Sequence, residues 1–196
     1  MANVVVINNV TLDGVMQAPA GPDEDRRGGF EHGGWAVPYQ DAVMSGVMAE
    51  GMVNDGSLLF GRRTYEQFFS VWPKRTDGNP FTEVLNRRQK YVASTTLSDP
   101  LPWRNSTLLG GDVPASVAEL KSRLDTDLAI LGSGELIQSL MRHGLIDTFL
   151  LTIYPLVLGD GRRLFPDGGA PTSLELVDVK PTTTGVLIAT YKPTKG

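Results

Sequence analysis

Apolar positions along the chain change period repeatedly, and the changes mark out the elements. Asn3 to Val10 carries a Val-Val-Val-Ile run, the pattern of a strand buried on both faces. Asp41 to Met52 follows a helical period, with Met44, Val47, Met48 and Gly51 on one face, a stripe that belongs to a core. Ser57 to Phe60 is a short strand, Arg62 to Phe69 a helix, and Lys90 to Ser94 and Ser106 to Leu109 are two more strands. Ser116 with Glu119 forms a capping box near the start of a helix through Leu124, which buries Val117, Leu120 and Leu124. Asp127 to Leu131 is a strand that runs into Gly132-Ser133-Gly134 and a helix from Glu135 to Arg142, stopped by Gly144. Thr148 to Val157 is a long strand, and Leu174 to Val179 and Val186 to Tyr191 form a closing pair. This alternation predicts one α/β domain over residues 1–196 with a mainly parallel sheet.

Between the first strand and the first helix, Asp13 to Pro38 is rich in glycine and proline and holds the charge cluster Asp23 to Arg27. So long a segment without periodicity is either a solvated insertion or a functional loop. Phe30 and Trp35 favour a loop that folds back over something. Trp35 either covers a substrate pocket or is a core aromatic.

Composition narrows the chemistry. With no cysteine among 196 residues, thiolate zinc sites and a cysteine nucleophile are excluded, and the presence of only two histidines, His32 and His143, argues against a multi-histidine metal centre. Eighteen basic against 22 acidic residues give a net charge of −4, which argues against nucleic acid as a partner. No run approaches the roughly 18 apolar residues of a membrane span, and Met1 to Asn9 lacks the basic start of a signal peptide. A cytoplasmic protein is expected.

Three strand ends could hold an anion. Glycines in Gly132-Ser133-Gly134 let a ligand approach the backbone, and free N–H groups open the following helix. Ile137 stands where the dinucleotide fingerprint has its third glycine, so a Rossmann site is not expected. Gly61-Arg62-Arg63-Thr64 repeats the plan with two arginines, which suit phosphate but not the positive end of an empty helix dipole. Ser94-Thr95-Thr96 ends a third strand in hydroxyls. Arginines beside Ser and Thr favour a 2′-phosphate, and hence NADPH over NADH.

At these residues the chain resembles a known superfamily. Gly61-Arg62-Arg63-Thr64-Tyr65-Glu66 is similar to the G-R-x-T-[WY]-E element of dihydrofolate reductases, and Leu12-Asp13-Gly14 to their first loop. Gly144 to Asp147, Pro155 to Gly161 and Leu164-Phe165 resemble the reductase domain of the riboflavin-pathway deaminase-reductases and its stand-alone relatives. The resemblance implies a dihydrofolate-reductase-like fold, a mainly parallel sheet with antiparallel C-terminal strands and helices on both faces. It also implies an NADPH-dependent reductase of a pterin-like or 5-amino-6-(5-phosphoribosylamino)uracil-like substrate. By the same resemblance Gly61, Arg62, Arg63 and Thr64 contact the phosphates, and Ser94 and Thr95 lie near the 2′-phosphate. Gly132, Ser133, Gly134, Glu135, Leu136 and Ile137 hold the pyrophosphate, and Ile7 flanks the nicotinamide. Leu131 replaces the substrate-binding glutamate of the riboflavin-pathway enzymes, which leaves the substrate open. Asp41, at the start of its helix, is either a proton-donating or orienting acid or simply a helix cap. The rival reading is a nucleotide-binding module of the same fold without turnover. The stand-alone relatives imply a homodimer, in which the apolar Phe149–Leu158 strand is buried either between subunits or within one.

Overall fold

The computed structural model describes residues 1–53, 56–169 and 171–194. Its elements run β1 (Val4–Thr11), α1 (Ala42–Val53), β2 (Ser57–Gly61), α2 (Arg62–Val71), α3 (Pro80–Arg87), β3 (Lys90–Ala93), β4 (Ser106–Leu109) and α4 (Val113–Arg123). There follow β5 (Leu128–Leu131), α5 (Gly134–Arg142), β6 (Thr148–Tyr154), β7 (Leu174–Pro181) and β8 (Leu187–Pro193). The strands form one sheet in the order β4-β3-β2-β5-β1-β6-β8-β7. The pairings from β4 to β6 are parallel, and β8 runs antiparallel to both β6 and β7. This is the expected fold class, a mainly parallel sheet closed by antiparallel C-terminal strands.

Three apolar cores hold the layers together. On one face α4 and α5 set Val117, Leu120, Ile137 and Leu140 against Val4, Val6, Ile130 and Phe149. On the other, α1 and the long loop cover β6 and β8 through Met44, Trp35, Phe30, Tyr154 and Ile188. Beside it α2 and α3 cover β2 and β3 through Tyr65, Leu85, Phe60, Val92 and Trp103.

Several local expectations change. Helix α3, absent from the predicted elements, carries Asn79 as a cap, Pro80 at its first position and Glu83 in its first turn. The capping box at Ser116 is not the start of α4. Asp112 caps that helix a turn earlier, accepting from the Ala115 N–H at 3.1 Å, while Glu119 pairs with Arg123. Of the stripe on α1, Met44 is buried and Val47 packs on a core, whereas Met48 stays 49% exposed. Strand β6 ends at Tyr154 and pairs with β1 and β8, its side chains entering two cores of this same chain. It is therefore an interior strand, and any meeting of subunits must use another surface.

The long loop is built rather than solvated. Buried Gln17 donates to the Asp25 and Arg27 carbonyls and accepts from the Arg162 N–H. Glu24 accepts from the Ala20 and Gly21 amides. Asp13 pins the loop to the turn after β6, accepting from the Thr11 hydroxyl at 2.5 Å and the Gly159 N–H at 2.8 Å. Burial works to raise the Asp13 pKa, but these bonds and that from Leu158 outweigh it and hold the carboxyl below the usual range.

Candidate functional site

Strand β1 occupies the middle of the sheet, where a parallel strand is normally buried on both faces. One face obeys: Val4, Val6, Asn8 and Val10 are buried. On the other, Val5, Ile7 and Asn9 are only half-buried, and Val5 and Ile7 join none of the three cores. To one side Leu150 and Tyr154 belong to the core under α1; to the other, Ala129 and Leu131 pack on the core under α2 and α3. A trough thus runs over the central strand between two cores. Ile7 forms its floor, level with Leu131 and therefore one residue short of the Gly132 turn.

The chain leaves β2 toward β3 and leaves β5 across β1 toward β6, so the carboxyl ends of β2 and β5 form a topological switch point. The two loops touch there. Ser133 Oγ accepts from the Gly61 N–H at 3.0 Å, and Thr64 approaches Gly132 so closely that a Cβ there would lie 3.5 Å from its methyl group. Ser133 sits in the left-handed region (φ 60°), an arrangement costing an L residue about 1–2 kcal/mol. Such strain concentrates at functional sites.

Helix ends distinguish this corner of the molecule. Asp41, Asn79 and Asp112 cap α1, α3 and α4, respectively. Neither α2 nor α5 has a side-chain cap, and these two open beside each other at Gly61 and Ser133. The first N–H groups of a helix lack intrahelical partners and carry the positive end of its dipole, so a paired opening of this kind suits a diphosphate. Arg62 is engaged with Glu66 at 3.0 Å, whereas Arg63 is exposed and has no partner among the described residues. Glu135 in the first turn of α5 pairs with Arg162, which offsets one negative charge at the mouth. The donor set fits a phosphorylated cofactor.

The sequence-predicted residues divide accordingly. Ile7, Gly61 to Thr64 and Gly132 to Ile137 come together at the switch point, although the side chains of Leu136 and Ile137 belong to the core. Ser94 lies one strand farther out, its Oγ accepting from the Thr96 and Leu97 amides, and Thr95 is exposed beside it. Gly134 is small for a local reason: a Cβ there would meet Met16 Sδ at 2.8 Å. Trp35 is a core aromatic, donating its indole N–H to the Gln17 carbonyl and packing edge-on to Tyr154. Asp41 has both oxygens engaged, one by the Met44 N–H and the other by the N–H and hydroxyl of Thr183. The Met44 and Thr183 bonds hold its carboxyl below the usual range. The proton-donor expectation for Asp41 therefore gives way to its alternative, a helix cap.

Two neighbours of the trough were not anticipated. The Tyr154 hydroxyl donates to Asn9 Oδ1 at 3.2 Å, and burial pushes its pKa up to about 12. An Asn-Asn pair ending a β-rich run is the signal that could have drawn attention to Asn9, since buried strands rarely carry amides. A surface hollow of about 600 Å³ between Asp99 and Thr107 lies at the amino end of β4, on the other edge of the sheet from these loops.

A profile of the RibD C-terminal domain matches residues 2–188. The chain belongs to the RibD C-terminal domain family. Within reach of this family member are two Bacillus subtilis proteins, each named as uncharacterized. YyaP is 28% identical over 185 residues, covering 93% of this chain and 90% of its own. YwjB is 34% identical over 125 residues, covering 63% of this chain and 66% of its own. Among solved structures, a Shewanella sp. PV-4 protein with a provisional riboflavin-biosynthesis name superposes with a TM-score of 0.72 at 24% identity, all of both chains being covered. A dihydrofolate reductase from Enterococcus faecalis, solved with NADP(H) and RAB-propyl, gives 0.63 at 14% identity over 98% of this chain and 97% of that one. A pyrimidine reductase-like protein from Corynebacterium diphtheriae gives 0.64 at 13% identity, covering 100% and 93%. At these identities the structures establish a shared fold.

Proposed function

We propose that the protein is an NADPH-dependent reductase that delivers a hydride to a small heterocycle or masked carbonyl, pterin-like or 5-amino-6-(5-phosphoribosylamino)uracil-like. The observation that carries this reading is the half-exposed stripe of the central strand, ending where two uncapped helices open side by side. In this reading the first turns of α2 and α5 hold the diphosphate. Arg63 and Thr64 add a charge and a hydroxyl, with Ser94 and Thr95 near the 2′-phosphate. Ile7 supplies an apolar floor for the nicotinamide. Bound NADPH brings the hydride, and the chain contributes position and dryness: Leu131, Leu150 and Ile7 keep water from the reacting face. The alternative, a nucleotide-binding module without turnover, draws support from Asp41, whose carboxylate is occupied as a cap. Exposed Leu176, Val177, Val179 and Leu187 on β7 and β8 support association into a homodimer through that edge.

The test is titration of NADPH and NADH into the protein, followed by quenching of its three tryptophans and by thermal unfolding. NADPH at 100 times its Kd is expected to stabilise the fold by about 2.7 kcal/mol. NADH is expected to bind at least tenfold more weakly. Failure of both to bind removes the reductase reading; NADPH binding with no oxidation by any of a panel of pterins, ketones and imines selects the module.

A further inference from the structure

Asn9 is held at one end and unengaged at the other. Its Oδ1 accepts from the hydroxyl of Tyr154, a residue only 1% exposed, and that hydroxyl lies 3.8 Å from Met44 Sδ. Thioether sulfur is a weak acceptor, so the hydroxyl proton goes to the amide oxygen, and this fixes which way the amide faces. The tyrosine ring cannot swing away, because Trp35 and Tyr39 pack edge-on against it with centroids 5.1 and 5.7 Å distant. Asn9 Nδ2, by contrast, has no partner among the described residues and is not among the buried unsatisfied atoms, so it opens into the trough. An oriented amide donor is placed beside an apolar floor, two residues along the strand from Ile7.

We propose that Asn9 is a substrate-recognition residue: its side-chain N–H, oriented by Tyr154, donates a hydrogen bond to the carbonyl oxygen or ring nitrogen of a planar substrate lying in the trough beside the nicotinamide that Ile7 floors. Tyr154 is the positioning residue behind it. This rests on the reductase reading, since the trough must be where the substrate sits beside the cofactor. It restricts the substrate class, because an alkene or a saturated ring offers such a donor no acceptor, and a site built to bond a polar atom rejects the analogue that lacks it.

The experiment uses full-length protein labelled with ¹⁵N-asparagine and loaded with NADP⁺, the Asn9 side-chain resonances being assigned by their loss in Asn9→Leu. Uracil, pterin and cyclohexenone serve as acceptor-bearing probes, and cyclohexene as the control. The expected result is movement of the Asn9 amide signals with at least one acceptor probe and none with cyclohexene. Asn9→Leu is expected to weaken that probe about tenfold while leaving the NADPH Kd within twofold, which also reports that the variant is folded. Tyr154→Phe is expected to weaken it about fivefold with the same cofactor affinity. Unmoved Asn9 signals with all three probes, or undiminished probe binding by Asn9→Leu, overturns the inference alone. Failure of the parent protein to bind NADPH overturns the reductase reading and this inference with it.

Discussion

Arg62 and Arg63 stand side by side in the sequence and serve different ends. Arg62 reaches along its own helix to Glu66, the spacing at which such pairs form, while Arg63 points to solvent unpaired among the described residues. A charge-assisted hydrogen bond is worth about 1.5–3 kcal/mol. Arg63→Ala is therefore expected to weaken NADPH by 10-fold or more, on the order of the low end of that range, with little effect on NADH, whereas Arg62→Ala changes NADPH less. Calorimetric titration of the two variants checks this, and equal losses for both nucleotides would show that no 2′-phosphate is read by Arg63. Lys90 makes a second residue-scale prediction. Its ammonium is fully buried, donating to the Leu85 and Arg88 carbonyls and lying over the Trp103 ring. Burial, followed by the charge of Arg104, pushes its pKa down from 10.5 to about 8. Between those values the unfolded chain holds the proton and the folded one has released it, so Lys90 adds stability as pH rises from 8 to 10.5 and subtracts it below. Urea unfolding of the parent and Lys90→Met across that range is expected to show the parent gaining on the variant, by at most about 3 kcal/mol. Taking the difference also cancels the opposite effect of Tyr154 above pH 10.

At the scale of elements, helix ends differ in whether a side chain caps them. Asp112 caps α4, and Asp112→Ala is expected to lower stability by about 1 kcal/mol, whereas Ser116→Ala, one turn inside, changes it by less than 0.5 kcal/mol. Urea midpoints decide between the two positions, and the reverse order would restore the capping box at Ser116. The strands were legible because parallel pairing buries both faces and leaves continuous runs such as Leu58 to Phe60. Helix α3 carried its signals in Asn79-Pro80 and Glu83 but lies in a stretch crowded with glycine, proline and aromatics, whose burial pattern depends on Trp72 and Trp103 from elsewhere. The order of the long loop was illegible for a related reason. Its bonds run from Asp13 to Leu158 and Gly159, and from Gln17 to Arg162, across some 145 residues.

At the scale of the molecule, the sheet order determines where a ligand can lie. The chain builds β1, steps over the place of β5 to β2, moves outward to β4, then returns to fill the gap. That return brings Gly132 and Ser133 against Gly61 and Thr64, residues about 70 apart in the sequence. The outer edge, β7, shows apolar Leu176, Val177 and Val179 interrupted by Glu175, Asp178 and Lys180. Charges on an edge strand oppose indiscriminate pairing while leaving a face for a defined partner. Sedimentation of the parent is expected to give a dimer, and Val177→Asp with Val179→Asp a monomer that still binds NADPH; a monomer at every concentration of the parent would discard the homodimer. Among the described residues no helix is long and apolar enough to cross a membrane.

By itself the sequence determined the elements other than α3 and the residue types at their ends, since period, glycine turns and hydroxyls act over a few residues. On those grounds Gly61 to Thr64 and Gly132 to Ile137 were readable as two glycine turns that each open a helix. Only the tertiary structure decided that the two turns share one opening and that Ile7 floors a trough between cores. It likewise decided that Asp41 is occupied by Thr183 and Trp35 by Gln17, and that Asn9 is held by Tyr154. Each of these joins groups that the chain order keeps apart, and a side chain's partner is settled by which strands lie next to one another.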